Sequence, residues 1–287
     1  MFRDFKKPKS LSINDVSILH NTWCGVTRKQ DGLLVAMVCT DKKRDKHDER
    51  DKHDERDDSN VSVYQQNGEF VERLKCHSPF KEIVYAEYID NEHYVLFECN
   101  LKMNLRRRVS FLQSLQFEGG AVSVNPYIFT RQPFDYLTME GDGVVITSVY
   151  NYRLPIFKYK SCNTVDFYIK DNQCYCMISR QQYNQLDETW RDDSDQPSGS
   201  YFPFRFKLQS RFEPTGEVAI DDVVAECYLD IEANVWKCFR LRPDKTLEFQ
   251  KSKTGPNNWD TCLVHYHLFH KPLTIEYIRE FLKTKHE

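Results

Sequence analysis

Short runs of alternating or continuous apolar residues dominate the chain, and each run is bounded by charged or turn-forming residues. Such runs are typical of β-strands, which are half-buried where the pattern alternates and fully buried where it is continuous. The runs predict strands over Gly32–Cys39, Val61–Gln65, Ile83–Ile89, Tyr94–Asn100, Gly143–Tyr150, Val165–Lys170, Gln173–Ser179, Val218–Leu229 and Val235–Leu241. We therefore expect a protein rich in β-sheet.

Two segments show the periodicity of an amphipathic helix instead. One runs from about Asn104 to Gln116 and has three consecutive arginines near its start. Its apolar side consists of Leu105, Val109, Leu112 and Leu115. The other lies at the C-terminal end, where Thr274 is a plausible N-cap. Its apolar side consists of Ile275, Ile278, Phe281 and Leu282.

The charge of the chain is concentrated in one segment. The 287 residues carry 40 basic and 43 acidic side chains, a net charge of −3, so no overall positive field indicates a nucleic-acid partner. Residues 41–58 include the sequence DKHDER twice in succession and contain no apolar residue that could be buried. We expect this insert to be a solvated hairpin extension or disordered, and residues 187–200 to form a polar loop.

Several classes of protein and site are not expected. The longest apolar run, Leu33–Cys39, is too short to cross a bilayer, and the N-terminal residues lack the apolar region of an export signal, so neither membrane spanning nor secretion is predicted. The ten cysteines include no C-x-x-C pair and are expected to be free thiols. The cluster from His265 to His270 matches no zinc-ligand spacing; we expect a strand here, with His265 and His267 facing outward.

Candidate chemistry begins at Lys29, which precedes a buried strand and is followed by Gly32, where a ligand could approach the backbone. A lysine placed in this way can be a nucleophilic amine, although each such residue alone also fits an ordinary surface or turn position. Further polar segments follow in order along the chain: Glu87 in a strand, Glu140-Gly-Asp142-Gly143, Lys158-Tyr-Lys160, and Arg240-Leu-Arg242-Pro-Asp244-Lys245.

The order and chemistry of these segments resemble the covalent nucleotidyltransferases, and most closely the messenger RNA guanylyltransferases, or capping enzymes. The final segment is the most discriminating, because R-x-R-x-D-K after a tryptophan-containing strand is similar to the ending of the capping enzymes. Polynucleotide ligases resemble the earlier segments but generally lack this ending. The resemblance covers nearly the whole chain, from about Trp23 to the C-terminal helix.

The resemblance implies a role for each matching residue. Lys29 would attack the α-phosphate of GTP, release pyrophosphate and hold GMP as a phosphoramide, before a diphosphate RNA end takes the GMP. The implied GTP contacts are Glu87 to the ribose, Phe97 and Val145 on the two faces of guanine, Lys158 and Lys160 to the α-phosphate, and Arg240, Asp244 and Lys245 to the pyrophosphate. Asp142 would lie in the same GTP site.

The chemistry of phosphoryl transfer supports this set of residues. An amine attacks only when it is unprotonated, and nearby cations such as Lys158 and Lys160 would favour that form of Lys29. Cations also neutralise the anionic oxygens around the transferred phosphorus. The expected cofactor is Mg²⁺ or Mn²⁺, for which Glu140 and Asp142 are the candidate ligands.

Two departures from the family pattern leave alternatives open. Leu34 stands where the first motif usually has an arginine, and Tyr85-Ala86-Glu87 replaces the common D-G-E. This divergence is reminiscent of viral capping enzymes. The alternatives are an ATP-dependent polynucleotide ligase of the same superfamily and a catalytically inactive guanylyltransferase-like module that binds RNA or a partner.

The expected fold class is α+β, with two domains. The resemblance implies an antiparallel-sheet nucleotidyltransferase domain over residues 1–161, a hinge near Ser161, and a C-terminal OB-like β-barrel domain with a C-terminal helix over residues 162–287. The implied partners are GTP and 5′-diphosphate RNA, together with an RNA triphosphatase, a cap methyltransferase or an RNA polymerase. The expected location is the nucleus or, for a viral enzyme, the host cytoplasm.

Overall fold

The structure is a computed structural model that describes residues 2, 5–40, 59–90, 92–139, 141–160, 162–191, 199–208, 212–214 and 220–284. The chain forms two compact units, one made of the described residues in Met1–Ser161 and Ile278–Glu287, the other of those in Cys162–Tyr277. The charged insert at 41–58 and the predicted hinge residue Ser161 lie outside the described residues. No described helix combines the length and the apolar character needed to span a bilayer.

Strands make up most of the regular structure. The strands are β1 (Lys9–Ser10), β2 (Cys24–Arg28), β3 (Leu33–Thr40), β4 (Ser59–Gln65), β5 (Phe70–Cys76), β6 (Ile83–Ile89), β7 (His93–Cys99), β8 (Val122–Val124), β9 (Tyr127–Thr130), β10 (Val144–Ser148), β11 (Phe157–Tyr159), β12 (Val165–Lys170), β13 (Gln173–Ser179), β14 (Tyr201–Arg205), β15 (Phe212–Glu213), β16 (Val223–Asp230) and β17 (Val235–Leu241). The α-helices are α1 (Ile13–Leu19), α2 (Leu105–Ser114), α3 (Arg180–Gln185), α4 (Pro243–Ser252), α5 (Trp259–His270) and α6 (Ile275–Thr284).

The strands form three sheets, two in the first unit and one in the second. The first unit has a five-stranded sheet of order β1-β11-β10-β2-β9 and a six-stranded sheet of order β5-β4-β3-β6-β7-β8. The second unit has a six-stranded sheet of order β14-β13-β12-β16-β17-β15. Pairing is antiparallel except for β1 with β11, β7 with β8 and β15 with β17. The α+β class is confirmed, whereas the OB-like barrel stays a prediction.

The core of the first unit explains the continuous apolar run in β3. Val35 and Met37 point into a cluster that includes Leu96 of β7 and Leu112 of α2. Ala36, between them on the other face of the strand, is also fully buried. A strand covered on both faces carries apolar residues at consecutive positions, as this run does.

Aromatic side chains build the core of the second unit. The rings of Phe167 on β12 and Trp236 on β17 meet edge to face at 4.9 Å. Trp259 at the start of α5 packs against Phe204 and Phe206 on the same cluster. The high aromatic content of the sequence is therefore used largely as packing in this unit.

The sequence prediction for the histidine cluster is wrong. His265, His267 and His270 lie on α5, a helix that begins after Asn258, whose side chain accepts a hydrogen bond from the Thr261 amide at 2.8 Å. His265 is buried rather than facing outward. The Asn258 N-cap and the core contacts of Trp259 favour a helix, although the alternating residue pattern indicates a strand.

Candidate active site

Lys29 lies at the end of β2, where the five-stranded sheet brings it beside the start of β10. Its backbone amide donates to the carbonyl oxygen of Gly143 at 2.8 Å, which continues the β2–β10 ladder by one residue. Its side chain is 19% exposed, and its Nζ donates to the Asp142 carboxylate and to the carbonyl oxygen of Gln30 at 3.2 Å. The predicted nucleophile is thus a sheltered amine that can be reached from solvent.

Asp142 joins two of the predicted lysines. Its Oδ2 accepts from Lys29 and lies 3.2 Å from the Nζ of Lys160. Burial alone would raise the pKa of this carboxyl, but the hydrogen bond from Lys29 and the charges of both lysines together hold the pKa of Asp142 below its usual value. Asp142 is therefore a carboxylate that partly neutralises two ammonium groups at one point.

Gly143 makes this arrangement possible. Its φ is 116°, in the region that glycine adopts most easily, and a Cβ atom added here would lie 2.0 Å from the carbonyl oxygen of Tyr159. The chain around Asp142 can therefore pass directly against β11. This close approach brings the Asp142 carboxylate to Lys160, the residue that follows Tyr159.

A cavity of about 250 Å³ opens beside Lys29, between the two sheets of the first unit. Its volume lies just below the usual range for small-molecule pockets, which is about 300–1,000 Å³. The five-stranded sheet contributes Val145 and Lys158, which pair across β10 and β11. The other sheet contributes Glu87 from β6 and Phe97 from β7. Five residues predicted to contact the nucleotide therefore line one cavity, since Lys29 lines it as well.

The cavity wall carries more positive than negative charge. The basic residues in its lining are Lys6, Lys7, Arg28, Lys29 and Lys158. The acidic residues are Glu87 and Glu98. Five cations against two carboxylates favour an anionic ligand, since the low-dielectric walls strengthen the attraction.

Glu87 is the predicted ribose contact, and one of its carboxylate oxygens has no partner. Its Oε2 is buried and accepts no hydrogen bond from any described residue. Burial raises the pKa of Glu87 to about 7, while the charge of Lys29 and the amide of Gly32 act in the opposite direction. A hydroxyl group of a ligand in the cavity could donate to this oxygen and satisfy it.

Leu34 also lines the cavity, at the position where the family pattern has an arginine. It is paired with Glu87 across β3 and β6, so the two side chains lie on the same face. The contact expected from an arginine is replaced by an apolar surface next to the carboxylate.

Sequence reasoning missed two parts of this cavity. Residues 5–8, Phe5-Lys6-Lys7-Pro8, line it because β1 pairs with β11, the strand that carries Lys158. Asn125 lines it too; its side chain donates to the Arg28 carbonyl at 2.9 Å and accepts from Gln30 at 3.2 Å. The run of lysines near the N-terminus was the available signal for the first part. No sequence signal distinguishes Asn125 from a turn residue.

The predicted pyrophosphate contacts lie in the second unit and are paired with carboxylates there. Arg240 Nε donates to Glu226 at 2.6 Å, and Arg242 donates to Asp244 at 2.9–3.0 Å. Lys245 lies 2.7 Å from its partner Glu248 in the helix α4. The R-x-R-x-D-K segment begins at the end of β17 and runs into the first turn of α4.

The resemblance implies a divalent metal ion, for which Asp142 is the candidate ligand among the described residues. They contain no group of three acidic, histidine or cysteine side chains that could hold a metal. Glu140 lies outside the described residues, and Asp142 is the carboxylate nearest Lys29. This donor set suits a magnesium ion that takes most of its ligands from phosphate and water.

No protein-family model matches the chain, and no curated protein matches it significantly. Among solved structures, it is similar to a mycobacterial DNA ligase D complexed with ATP and MES, with TM-score 0.37 and 12% identity over 84% of this chain and 96% of that one. It is similar to the ligase domain of M. tuberculosis LigD, with TM-score 0.31 and 13% identity over 84% and 96%. A structure named Pmar-Lig_Pre gives TM-score 0.38 and 9% identity over 83% and 68%. These similarities are remote, and no functional conclusion rests on them.

Proposed function

We propose that the protein is an RNA guanylyltransferase that transfers GMP from GTP, through Lys29, to the 5′-diphosphate end of RNA. The observation that carries the proposal is the grouping of Lys29, Glu87, Phe97, Val145 and Lys158 around one cavity. These residues come from distant parts of the chain, and a common position for all of them is what a nucleotide site requires. The choice of guanine rests on the resemblance of the R-x-R-x-D-K segment to capping enzymes.

In the first step, the unprotonated Nζ of Lys29 attacks the α-phosphorus of GTP. The N–P bond forms as the bond from the α-phosphorus to the bridging oxygen of pyrophosphate breaks, and pyrophosphate leaves with that electron pair. Asp142 positions the Nζ of Lys29 through their hydrogen bond, and the proton that the attacking amine loses passes to solvent. Lys158 and Lys160 neutralise the oxygens of the α-phosphate, while Phe97 and Val145 hold the base.

In the second step, a terminal phosphate oxygen of the RNA attacks the same phosphorus. The N–P bond breaks, the amine regains a proton, and a 5′–5′ triphosphate linkage forms. A bound Mg²⁺ or Mn²⁺ would neutralise charge on the phosphates, with Asp142 as its protein ligand. Arg240, Asp244 and Lys245 are assigned to the pyrophosphate by the resemblance, as is the OB-like character of their unit.

The experiment is covalent labelling. The protein is incubated with α-labelled GTP or ATP and Mg²⁺ or Mn²⁺, denatured, and measured for retained label. We expect label from GTP, loss of label in Lys29→Ala, and full labelling in Lys75→Ala, which removes an exposed lysine of β5 in the same unit. Addition of 5′-diphosphate RNA should then release the label as capped RNA.

Other outcomes contradict the proposal and identify the alternative. Label from ATP alone would indicate a polynucleotide ligase. Absence of label from either nucleotide, in protein whose thermal unfolding is cooperative, would indicate a guanylyltransferase-like binding module without catalysis.

A further inference from the structure

Two exposed arginines of the first unit lie against aromatic rings. The guanidinium carbon of Arg106 is 4.3 Å from the ring centre of Phe129 and 5.6 Å from that of Trp23. The guanidinium of Arg131 is 5.3 Å from the same Trp23 ring. Both rings are half-buried. We call Trp23, Arg106, Phe129, Arg131 and the neighbouring Tyr150 the arginine–aromatic platform.

Backbone hydrogen bonds bring Val149, the residue before Tyr150, next to this platform. The amide of Val149 donates to the Trp23 carbonyl at 2.8 Å, and the amide of Leu105 donates to the Val149 carbonyl at 2.9 Å. Tyr150 comes next in the chain and is 64% exposed, the highest value among the large apolar and aromatic side chains described as exposed. A ring this open to solvent is available for stacking on a ligand.

The segments that form the platform carry only positive charge. Residues 99–117, 119–134 and 143–165 contain no aspartate or glutamate, although the chain as a whole is nearly neutral. Arg108 forms an ion pair with Glu98 at 3.2 Å, but no described carboxylate lies within ion-pair distance of Arg106, Arg107 or Arg131. Arg106 and Arg107 also lie in the first turn of α2, where the helix dipole disfavours cations. An external anion would relieve this repulsion.

The platform is linked to the nucleotide cavity by one ring. Tyr127 lines the cavity, and its hydroxyl donates to the Phe97 carbonyl at 2.9 Å. Its ring is nearly parallel to that of Phe129, with centres 6.2 Å apart and an interplanar angle of 21°. The platform therefore lies one packed ring away from the wall of the cavity.

From this arrangement we infer that the arginine–aromatic platform binds the single-stranded segment of RNA that follows its 5′ end. Aromatic rings and guanidinium planes stack on exposed bases, and unpaired arginines contact the phosphates between them. A protein partner would be expected to use buried apolar anchors, whereas these rings already carry cations on their faces. The inference rests on the proposed function for its choice of RNA and is tested by binding, which requires no nucleotide transfer.

The test measures binding of a fluorescent ten-nucleotide RNA with a 5′-diphosphate to the full chain by anisotropy. Because each stacked base and each phosphate contact contributes separately, we expect Kd to rise about tenfold in Arg106→Ala with Arg131→Ala, and about tenfold in Trp23→Leu. The salt dependence of log K should become shallower by about 0.7 for each arginine removed. Arg106→Lys should restore the salt dependence without restoring the full affinity, since lysine keeps the charge and loses the planar group.

The control is Arg73→Ala, which removes an exposed arginine of β5 in the same unit and should leave Kd unchanged. Equal Kd values for the double variant and wild type, or an equal loss in Arg73→Ala, would overturn the inference. Tighter binding of the matching duplex or of single-stranded DNA would do so too. If wild type binds RNA as expected but forms no lysyl-GMP, the proposed function is wrong and the RNA-binding inference stands. If wild type forms lysyl-GMP but its RNA affinity does not depend on the platform residues, the proposed function stands and the RNA-binding inference is wrong.

Discussion

The side chain of Lys29 donates a hydrogen bond to Asp142, a residue 113 positions further along the chain. Lys160 binds the same carboxylate oxygen, so one anion holds two ammonium groups together. The Nζ of Lys29 is therefore engaged by an anion, and this ion pair must open before the amine can approach a phosphorus atom.

The variant Asp142→Asn should make Lys29 more reactive as an amine. Without the carboxylate, the Nζ of Lys29 loses the ion pair that holds it, so an external reagent should modify it several-fold faster. The measurement is the rate at which an amine-acylating reagent modifies Lys29 at pH 8, read by peptide mass spectrometry. Lys75 serves as the internal control and should react equally in both proteins. An unchanged or slower reaction of Lys29 would contradict the prediction.

The variant Glu87→Gln should reduce the dependence of stability on pH. With its pKa raised from 4.5 to about 7, Glu87 is protonated in the folded state where the unfolded chain has lost the proton. The stabilisation is present below about pH 4.5 and is lost as pH rises through 7. Relative to wild type, the free energy of unfolding of Glu87→Gln should therefore increase by about 1–3 kcal/mol between pH 5 and pH 8.

Thermal unfolding of both proteins at pH 5, 6, 7 and 8 provides the comparison. Glu92→Gln, which changes an exposed glutamate between β6 and β7, should show no such trend. Parallel pH curves for wild type and Glu87→Gln would show that the buried carboxyl does not titrate in this range.

The variant Gly143→Ala should strongly destabilise the first unit. A side chain at this position has an unfavourable φ and meets the Tyr159 carbonyl, and the expected cost exceeds about 2 kcal/mol. Gly68→Ala is the matched control, because Gly68 has a φ of 88° but nothing within 4 Å of the added atom. It should cost about 1 kcal/mol, the strain of the positive φ alone. Equal losses in thermal midpoint for the two variants would contradict the role of the close approach.

The variant Glu226→Ala should destabilise the second unit more than Asp244→Ala. Glu226 is 8% exposed and accepts from Arg240 at 2.6 Å and from the Thr164 hydroxyl at 2.5 Å. Its removal takes away the charged partner of Arg240, which is 50% exposed, and the acceptor for Thr164, at an expected cost of about 2 kcal/mol. The Asp244 side chain is 61% exposed, so its loss should cost under about 1 kcal/mol. Calorimetric midpoints that fall equally would contradict this ranking.

Replacement of residues 41–58 by a four-residue turn should preserve folding and lysyl-GMP formation. Thr40 and Asn60 are directly paired in the antiparallel strands β3 and β4, so a short loop can join them. The comparison is the labelling yield per folded protein, with Lys29→Ala in the shortened chain as the negative control. Loss of labelling in a shortened protein that unfolds cooperatively would give the charged insert a function.

Several strands follow the sequence pattern closely, although β2 and β5, of five and seven residues, were not predicted. The bounds of β6, β12, β13 and β17 match their predictions, and α6 begins after Thr274, whose hydroxyl accepts from the Tyr277 amide at 3.1 Å. Short strands such as β1 and β11 were missed, because two or three residues hold no periodicity. Helix α4 was missed because its first turn coincides with the R-x-R-x-D-K segment.

The site could be predicted as a set of residues but not as a geometry. Motif order marked Lys29, Glu87, Phe97, Val145 and Lys158, and all five line the cavity. The ion pairs that these residues form depend on how strands cross, which spacing along the chain does not encode. The platform was missed for the same reason, since its members are scattered from Trp23 to Tyr150 and only the fold brings them together.

Strand β1 has a consequence for how the protein behaves in solution. It is two residues long and pairs along β11, so the backbone beside Lys158 is covered on that side as well as by β10. An uncovered β11 would offer free amide and carbonyl groups to another molecule at the edge of the sheet. Because β1 is only two residues long, it offers a second chain few backbone groups to pair with. The strand β11, which carries Lys158, is thereby shielded from intermolecular β-aggregation.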